Sequence, residues 1–156
     1  MRICNAFITR ENIVALFEQT DVPNDLDLLV IDIDGNDYWV WQELRRYQPR
    51  VAVIEYNASY PPPREWVMPY DPDYVFDGTN YAGASLASLD LLGRNLGYCL
   101  VGCDPDGVNA FFVREDLVED KFVHADGCAT YHWVSPKFHA LFFGHPSGKG
   151  PWTRPE

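Results

Sequence analysis

The sequence predicts an α/β domain with a mostly parallel sheet, doubly wound by helices and ending in an antiparallel hairpin. Three observations carry that expectation. Two apolar runs, Leu28-Leu29-Val30-Ile31 and Val51-Ala52-Val53-Ile54, each finish in acids and flank a segment of helical spacing, which makes a strand–helix–strand unit. The unbroken apolar character of the first run predicts burial on both faces, as in a parallel sheet covered by helices. Further on, Asp104-Pro105-Asp106-Gly107 separates two more apolar runs, and Asp-Gly after Pro is turn chemistry for an antiparallel hairpin.

Taken in order, Thr9 is placed to cap a helix over about Glu11 to Gln19, with Ile13, Leu16 and Phe17 inward and Glu11 in its first turn. Asp21-Val22-Pro23 stops it. The strand Leu26 to Ile33 comes next, then a helix from Asp37 to Tyr47 on the spacing of Val40, Leu44 and Tyr47. Pro49 punctuates the step to the strand Arg50 to Glu55. The connection from Ser59 to Asn80 sets Pro61-Pro62-Pro63, Pro69 and Pro72 among aromatic residues and reads as an ordered lid without regular structure. Gly83 to Asn95 forms a helix with Leu86, Leu89, Leu92 and Leu96 inward, and Gly97 stands where a left-handed stop is common. Tyr98 to Cys103 and Val108 to Val113 are the hairpin strands. Residues 1–120 thus form the domain, and 121–156, rich in His, Pro and Gly, an irregular tail lying over it.

At 156 residues the chain suits one domain, large enough to bury roughly 70% of its unfolded surface. With 23 acidic against 12 basic residues and a net charge of −11, a phosphate-tracking nucleic-acid surface is not expected. No apolar stretch reaches the ~20 residues needed to cross a bilayer, and the N-terminus does not resemble a signal peptide. A soluble, cytoplasmic protein is expected. Cys4, Cys99, Cys103 and Cys128 are scattered, and Cys99 and Cys103 share a strand, too far apart to pair. Reduced thiols follow.

The chemistry concentrates where the two central strands end, since ligands of open α/β sheets bind at the carboxyl ends of strands. Alternation puts Asp32 and Asp34 on one face, and Glu55 and Asn57 on one face of the neighbour. Strands about 4.8 Å apart bring Asp34, Glu55 and Asn57 close enough to coordinate one magnesium or calcium ion. Asp32, Asp34 and Glu55 are the candidate catalytic acids, with Asp34 the foremost candidate base, because neighbouring acids repel unless a cation, proton or hydrogen bond compensates. The alternative is that Asp34 and Asp37 cap the following helix and Glu55 ends a strand in hydrogen bonds. Asn57, Trp66, Tyr70 and Tyr81 are candidate substrate-binding residues, and the lid aromatics Trp66, Tyr70, Tyr74, Phe76 and Tyr81 either face a sugar or aromatic acceptor or else pack the lid down. His124, Cys128 and His132, spaced by four, could face zinc from a helix, although Asp126-Gly127 argues against one.

The order helix, strand, helix, strand, long loop, helix and hairpin resembles the second half of a class I, Rossmann-like S-adenosylmethionine-dependent methyltransferase, whose sheet closes with an antiparallel final strand. Within it, Ile31-Asp32-Ile33-Asp34-Gly35-Asn36-Asp37 looks like the Ile-Asp-Val-Glu-Gly-Ala-Glu signature of FkbM-type methyltransferases, with Asp34 and Asp37 where that family usually has glutamates. The likeness covers roughly Thr9 to Asp116. It implies O-methyl transfer from S-adenosylmethionine to a small hydroxylated acceptor. Glu55-Tyr56-Asn57 approximates the Asp-Asn pair with which cation-dependent relatives hold a substrate hydroxyl as its oxyanion. The resemblance also implies a cofactor held mainly by a first half, through a glycine-rich turn and a ribose-binding acid, and neither is in this sequence. The chain therefore reads as a partial fold, inactive alone, whose open sheet edge is covered by a homodimer partner or by a separate chain. Two other readings are a non-catalytic binding or assembly module and a cation-dependent hydrolase- or hydroxylase-like domain.

Overall fold

The computed structural model describes residues 3–123, 128–137 and 144–155. Helix α1 (Ile13–Gln19) is followed by β1 (Leu28–Ile31), α2 (Asp37–Glu43), β2 (Val51–Glu55), α3 (Leu86–Asn95), β3 (Tyr98–Cys103) and β4 (Asn109–Arg114). Two one-turn helices, α4 (Glu115–Val118) and α5 (Ala129–His132), complete the described elements. The fold is α/β. Its four strands make one sheet in the order β1-β2-β4-β3, with β1 parallel to β2 and β4 antiparallel to both β2 and β3. The sheet is therefore mixed rather than mostly parallel. The turn after β3 is too short for a crossover, so β4 reverses direction, and it is β4 that takes the place beside β2.

That turn forms as its residues dictate. The Asp104 carboxylate accepts the backbone N–H groups of Asp106, Gly107, Val108 and Asn109 at 2.7–3.0 Å. Gly107 supplies a φ of 76°, a conformation a side chain would strain. At the start of α3, the Ser85 hydroxyl accepts the N–H of Ser88, and Gly97 ends the segment with a φ of 84°. At α1 the expectation is corrected. Asn12 occupies the capping position without a side-chain cap, while Thr9 contributes its carbonyl, which accepts from Asn12 and Ile13. The α2 helix is also shorter than its apolar spacing suggests. Leu44 and Tyr47 remain buried, but they do so from a turn beyond the helix.

One face of the sheet is the core. Leu29, Ile31, Ala52, Ile54, Leu100 and Phe112 lie there, each no more than 6% exposed. Trp41 of α2 packs on Phe112 at 4.7 Å between ring centroids and on Tyr98 at 6.0 Å. A side chain at Gly93 of α3 would stand 3.0 Å from Phe112 and 3.2 Å from Trp41, so the glycine lets α2, α3 and the sheet meet. The opposite face corrects a second expectation. Leu28 and Val30 of β1 are 54% and 56% exposed, so this strand is buried on one face only. Among the described residues, β1 is also an edge of the sheet.

The lid is tied to the domain at several points. Trp39 Nε1 donates to the Met68 carbonyl at 2.8 Å, and Asn36 Nδ2 to the Asp71 carbonyl at 2.7 Å. Val67 bridges both Ala84 and Thr153, which straps part of the tail across the lid. No helix among the described residues is long and apolar enough to cross a membrane. All four cysteines are free thiols. Of the zinc candidates, Cys128 and His132 flank and end α5, whereas His124 lies outside the described residues, as does Asp126-Gly127.

Two substitutions test this packing by chemical denaturation. Phe112→Ala is expected to cost about 3–5 kcal/mol through the cavity it leaves. Gly93→Ala should cost about 1–3 kcal/mol, because neither ring can retreat without disturbing the other.

Candidate functional site

The acidic ends of β1 and β2 converge. One oxygen each of Asp32, Asp34 and Glu55 lies within 4.8 Å of the others, and the Asp34 N–H donates to Glu55 Oε2 at 3.3 Å. Asp32 and Asp34 are exposed, and Glu55 is half-buried. The turn that positions them is set by Asp37, which is 1% exposed. Its Oδ1 accepts the Ile33 N–H and its Oδ2 the Gly35 N–H, both at 2.9 Å. Between those two anchors Asp34 takes a φ of 62°, which aspartate tolerates better than most side chains. Gly35 has no room for a side chain, since a Cβ there would lie 2.4 Å from the Tyr74 ring.

Three of these carboxyls, Asp34, Asp37 and Glu55, line a crevice of about 130 Å³ that runs on to Asn57, Thr79, Asn80 and His145, and Asp32 stands beside Asp34 and Glu55 outside that lining. Burial pushes the Glu55 carboxyl up to about 8, with the charges of Asp37, Asp32 and Asp34 adding to the effect. Burial likewise raises Asp37 to about 6, against the opposing pull of its two backbone N–H donors, with Asp32 adding a further rise. Asp37 is therefore the structural member of the group. Glu55 is the chemically poised one, because it lines the crevice from a half-buried position and is raised further from its ordinary value, whereas Asp37 is enclosed and tied to two backbone N–H groups.

Asn57 lines the crevice, but its amide is committed to holding loops. Nδ2 donates to the carbonyls of Asn80 and Ala82 at 2.7 and 2.8 Å, and Oδ1 accepts from Ser59 at 3.0 Å. The three candidate aromatics stand away from the crevice lining. Trp66 stacks on Trp152 at 5.6 Å, and Tyr81 packs against Trp152 at 5.2 Å while donating to the Pro151 carbonyl at 2.6 Å. Tyr70 bonds Glu11 and accepts the Arg10 N–H at 3.2 Å. In their place Phe76 lines the crevice, with the His145 ring 5.0 Å from its own. Phe76 is one of the lid aromatics that the sequence puts forward as facing an acceptor. Nothing in the sequence linked His145 to residues so far upstream.

A hard cation fits the donor set. Three carboxylate oxygens within 4.8 Å of one another match the span across a calcium coordination sphere, whereas the shorter bonds of magnesium would require them to draw closer. A metal held by Asp32, Asp34 and Glu55 would relieve their mutual repulsion, although exposed acidic groups of this kind also occur without one. S-adenosylmethionine does not fit. The crevice is below the ~300 Å³ at which drug-sized ligand sites begin, and its turn glycine is already covered by Tyr74. Compared with protein-family models, with curated proteins and with solved structures, the chain finds no match in any of the three.

Three outcomes follow. Because Glu55 and Asp37 bind protons more tightly when folded than when unfolded, stability should fall as pH rises from about 4.5 to about 8 and then level off. Glu55→Gln should flatten the upper part of that slope and be the more stable protein at pH 8.5, by on the order of 1 kcal/mol or more; thermal melts across the range measure both. Asn57→Ala, read by urea unfolding, should cost about 1–3 kcal/mol by leaving the Asn80 and Ala82 carbonyls unbonded.

Proposed function

We propose that the chain is the acceptor-side portion of a methyltransferase-like domain, binding a small hydroxylated ligand in the acidic crevice and handling its proton at Glu55. The carrying observation is the half-buried Glu55 carboxyl in the crevice wall, raised to about 8 by burial and by the neighbouring charges of Asp37, Asp32 and Asp34. A carboxyl that changes charge near the working pH is suited to accept and return a proton. The Asp34 and Asp32 oxygens beside it offer further acceptors for ligand hydroxyls. A cavity of about 130 Å³ suits a ligand near the size of benzene. The parallel β1–β2 pair and the closing antiparallel β4 support the likeness to the rear of a class I methyltransferase sheet. On this reading the methyl donor is bound by residues outside this chain, and no step of the transfer is assigned to residues within it.

The experiment is an NMR titration of the Glu55 side-chain carbonyl carbon, followed by shift mapping with catechol and glucose as probes. Titration near 8, with at least one probe perturbing the crevice residues and losing that effect in Glu55→Gln, is the expected result. A Glu55 midpoint near 4.5, or probes that leave the crevice unperturbed, removes the proposal. Calorimetry with S-adenosylmethionine should show no binding to the chain alone.

The oxygen spacing favours one second reading, in which a divalent cation sits between Asp32, Asp34 and Glu55 and holds the ligand hydroxyl as its anion. Calcium or magnesium at pH 7 would then raise the melting temperature by about 3 °C or more. Asp34→Asn would abolish that rise, whereas an unchanged melt in wild type rejects the cation.

A further inference from the structure

We propose that the free edge of β1 docks a β-strand of a partner polypeptide, apolar at alternate residues and flanked by lysine or arginine. The inference rests on the sheet edge and not on the chemistry proposed for the crevice. Among the described residues β1 pairs with β2 alone, leaving its outer N–H and C=O groups without a strand. Such an edge is a template for strand addition, in which main-chain bonds give affinity and alternate side chains give selectivity. Protected edges carry lysine, proline or a bulge. Leu28–Ile31 has no lysine or proline, and its pairing with β2 is in continuous register.

The side chains at this edge extend the same surface. Leu28 and Val30 are more than half exposed and lie directly beside Val51 and Val53, which are half-buried on the same face. An added strand with apolar residues on that face would continue the surface outward and cover Leu28 and Val30.

Charge decides what kind of strand it is. Exposed acids flank β1 on both sides, Asp25 and Asp27 before it and Asp32 and Asp34 after it. A second copy pairing antiparallel through the centre of β1 would set Asp27 opposite the partner's Asp32, and a parallel pairing in register would set each acid against itself. Like charges directly opposite destabilise a strand pair, and a net charge of −11 on each copy adds to the repulsion. Arg50 lies 3.5 Å from Asp27, an exposed pair too weak to reverse that balance. A strand with basic ends sets opposite charges against Asp27 and Asp32, the acids that adjoin β1 at either end, with Asp25 and Asp34 adding to the attraction.

The test uses the chain as it stands and two synthetic peptides sharing an alternating Val/Thr centre, one ended in lysines and the other in glutamates. Fluorescence anisotropy should show the lysine-ended peptide binding about tenfold tighter or more, with affinity falling as salt rises. Hydrogen exchange should show new protection at Leu28–Ile31. Val30→Lys, at an exposed position, should weaken binding about tenfold, whereas Val75→Lys, on the lid at a residue 73% exposed, should not. Light scattering should find the chain monomeric. Equal binding of the two peptides, no binding of either, or no protection in β1 overturns the proposal, and the exchange readout on wild type keeps it testable if Val30→Lys misfolds. A dimer that Val30→Lys dissociates also overturns it, by assigning the edge to a second copy.

Discussion

A single buried carboxylate organises the acidic crevice. Asp37 stands at the first turn of α2, almost without solvent, and grips the backbone on both sides of Asp34 through the N–H groups of Ile33 and Gly35. A charge in such a place costs much unless hydrogen bonds compensate it, and these two bonds together with the helix N-terminus offset part of that cost, burial still holding the carboxyl above its ordinary value. The grip bends the chain sharply after β1 and turns the Asp34 N–H toward Glu55 of the neighbouring strand. Remove that constraint and the two strand ends lose their fixed relation. The raised Glu55 follows from the same geometry, because burial and three acids held nearby act on it together.

Around that turn the molecule is asymmetric. The helix-bearing face of the sheet is closed by Trp41, Phe112 and the α3 helix at Gly93, while the other face at β1 leaves Leu28 and Val30 in solvent. The crevice opens at the carboxyl ends of β1 and β2, where the chain leaves the sheet and the lid returns to it. Asn57 joins these two by bonding the carbonyls of Asn80 and Ala82, so the residue after the strand end braces the crevice wall as well as lining it. The aromatic residues of the lid pack with Trp152 from the tail, and the Val67–Thr153 bridge beside them completes that strap.

The strands, the Gly97 stop and the Asp104–Gly107 turn were legible because each depends on neighbours within a few residues. Asp32, Asp34 and Glu55 were legible as a group for a related reason. Two apolar runs of similar length joined by one helix pair in parallel, and their acidic ends then arrive together. The aromatic assignments at Trp66, Tyr70 and Tyr81 went elsewhere because a ring's direction depends on what packs against it. Here that is Trp152 for two of them and Glu11 with Arg10 for the third. Asn57 has a side chain that suits ligand or loop equally, and only the position of the Asn80 and Ala82 carbonyls distinguishes the two.

By itself the sequence determined the local grammar of this protein: the four strands and the three longer helices, where they turn, and that carboxyls gather at one sheet end, while the one-turn helices α4 and α5 carry too few residues to show a period. Periodicity and turn chemistry suffice for that, since they act over a handful of bonds. Tertiary structure decided the rest, from the insertion of β4 beside β2 and the exposed face of β1 to the arrival of His145 at the crevice. Those outcomes depend on which surfaces meet across long stretches of chain. Glu55 owes its raised pKa to the same cause, since solvent exclusion and neighbouring charge exist only once the strands are packed.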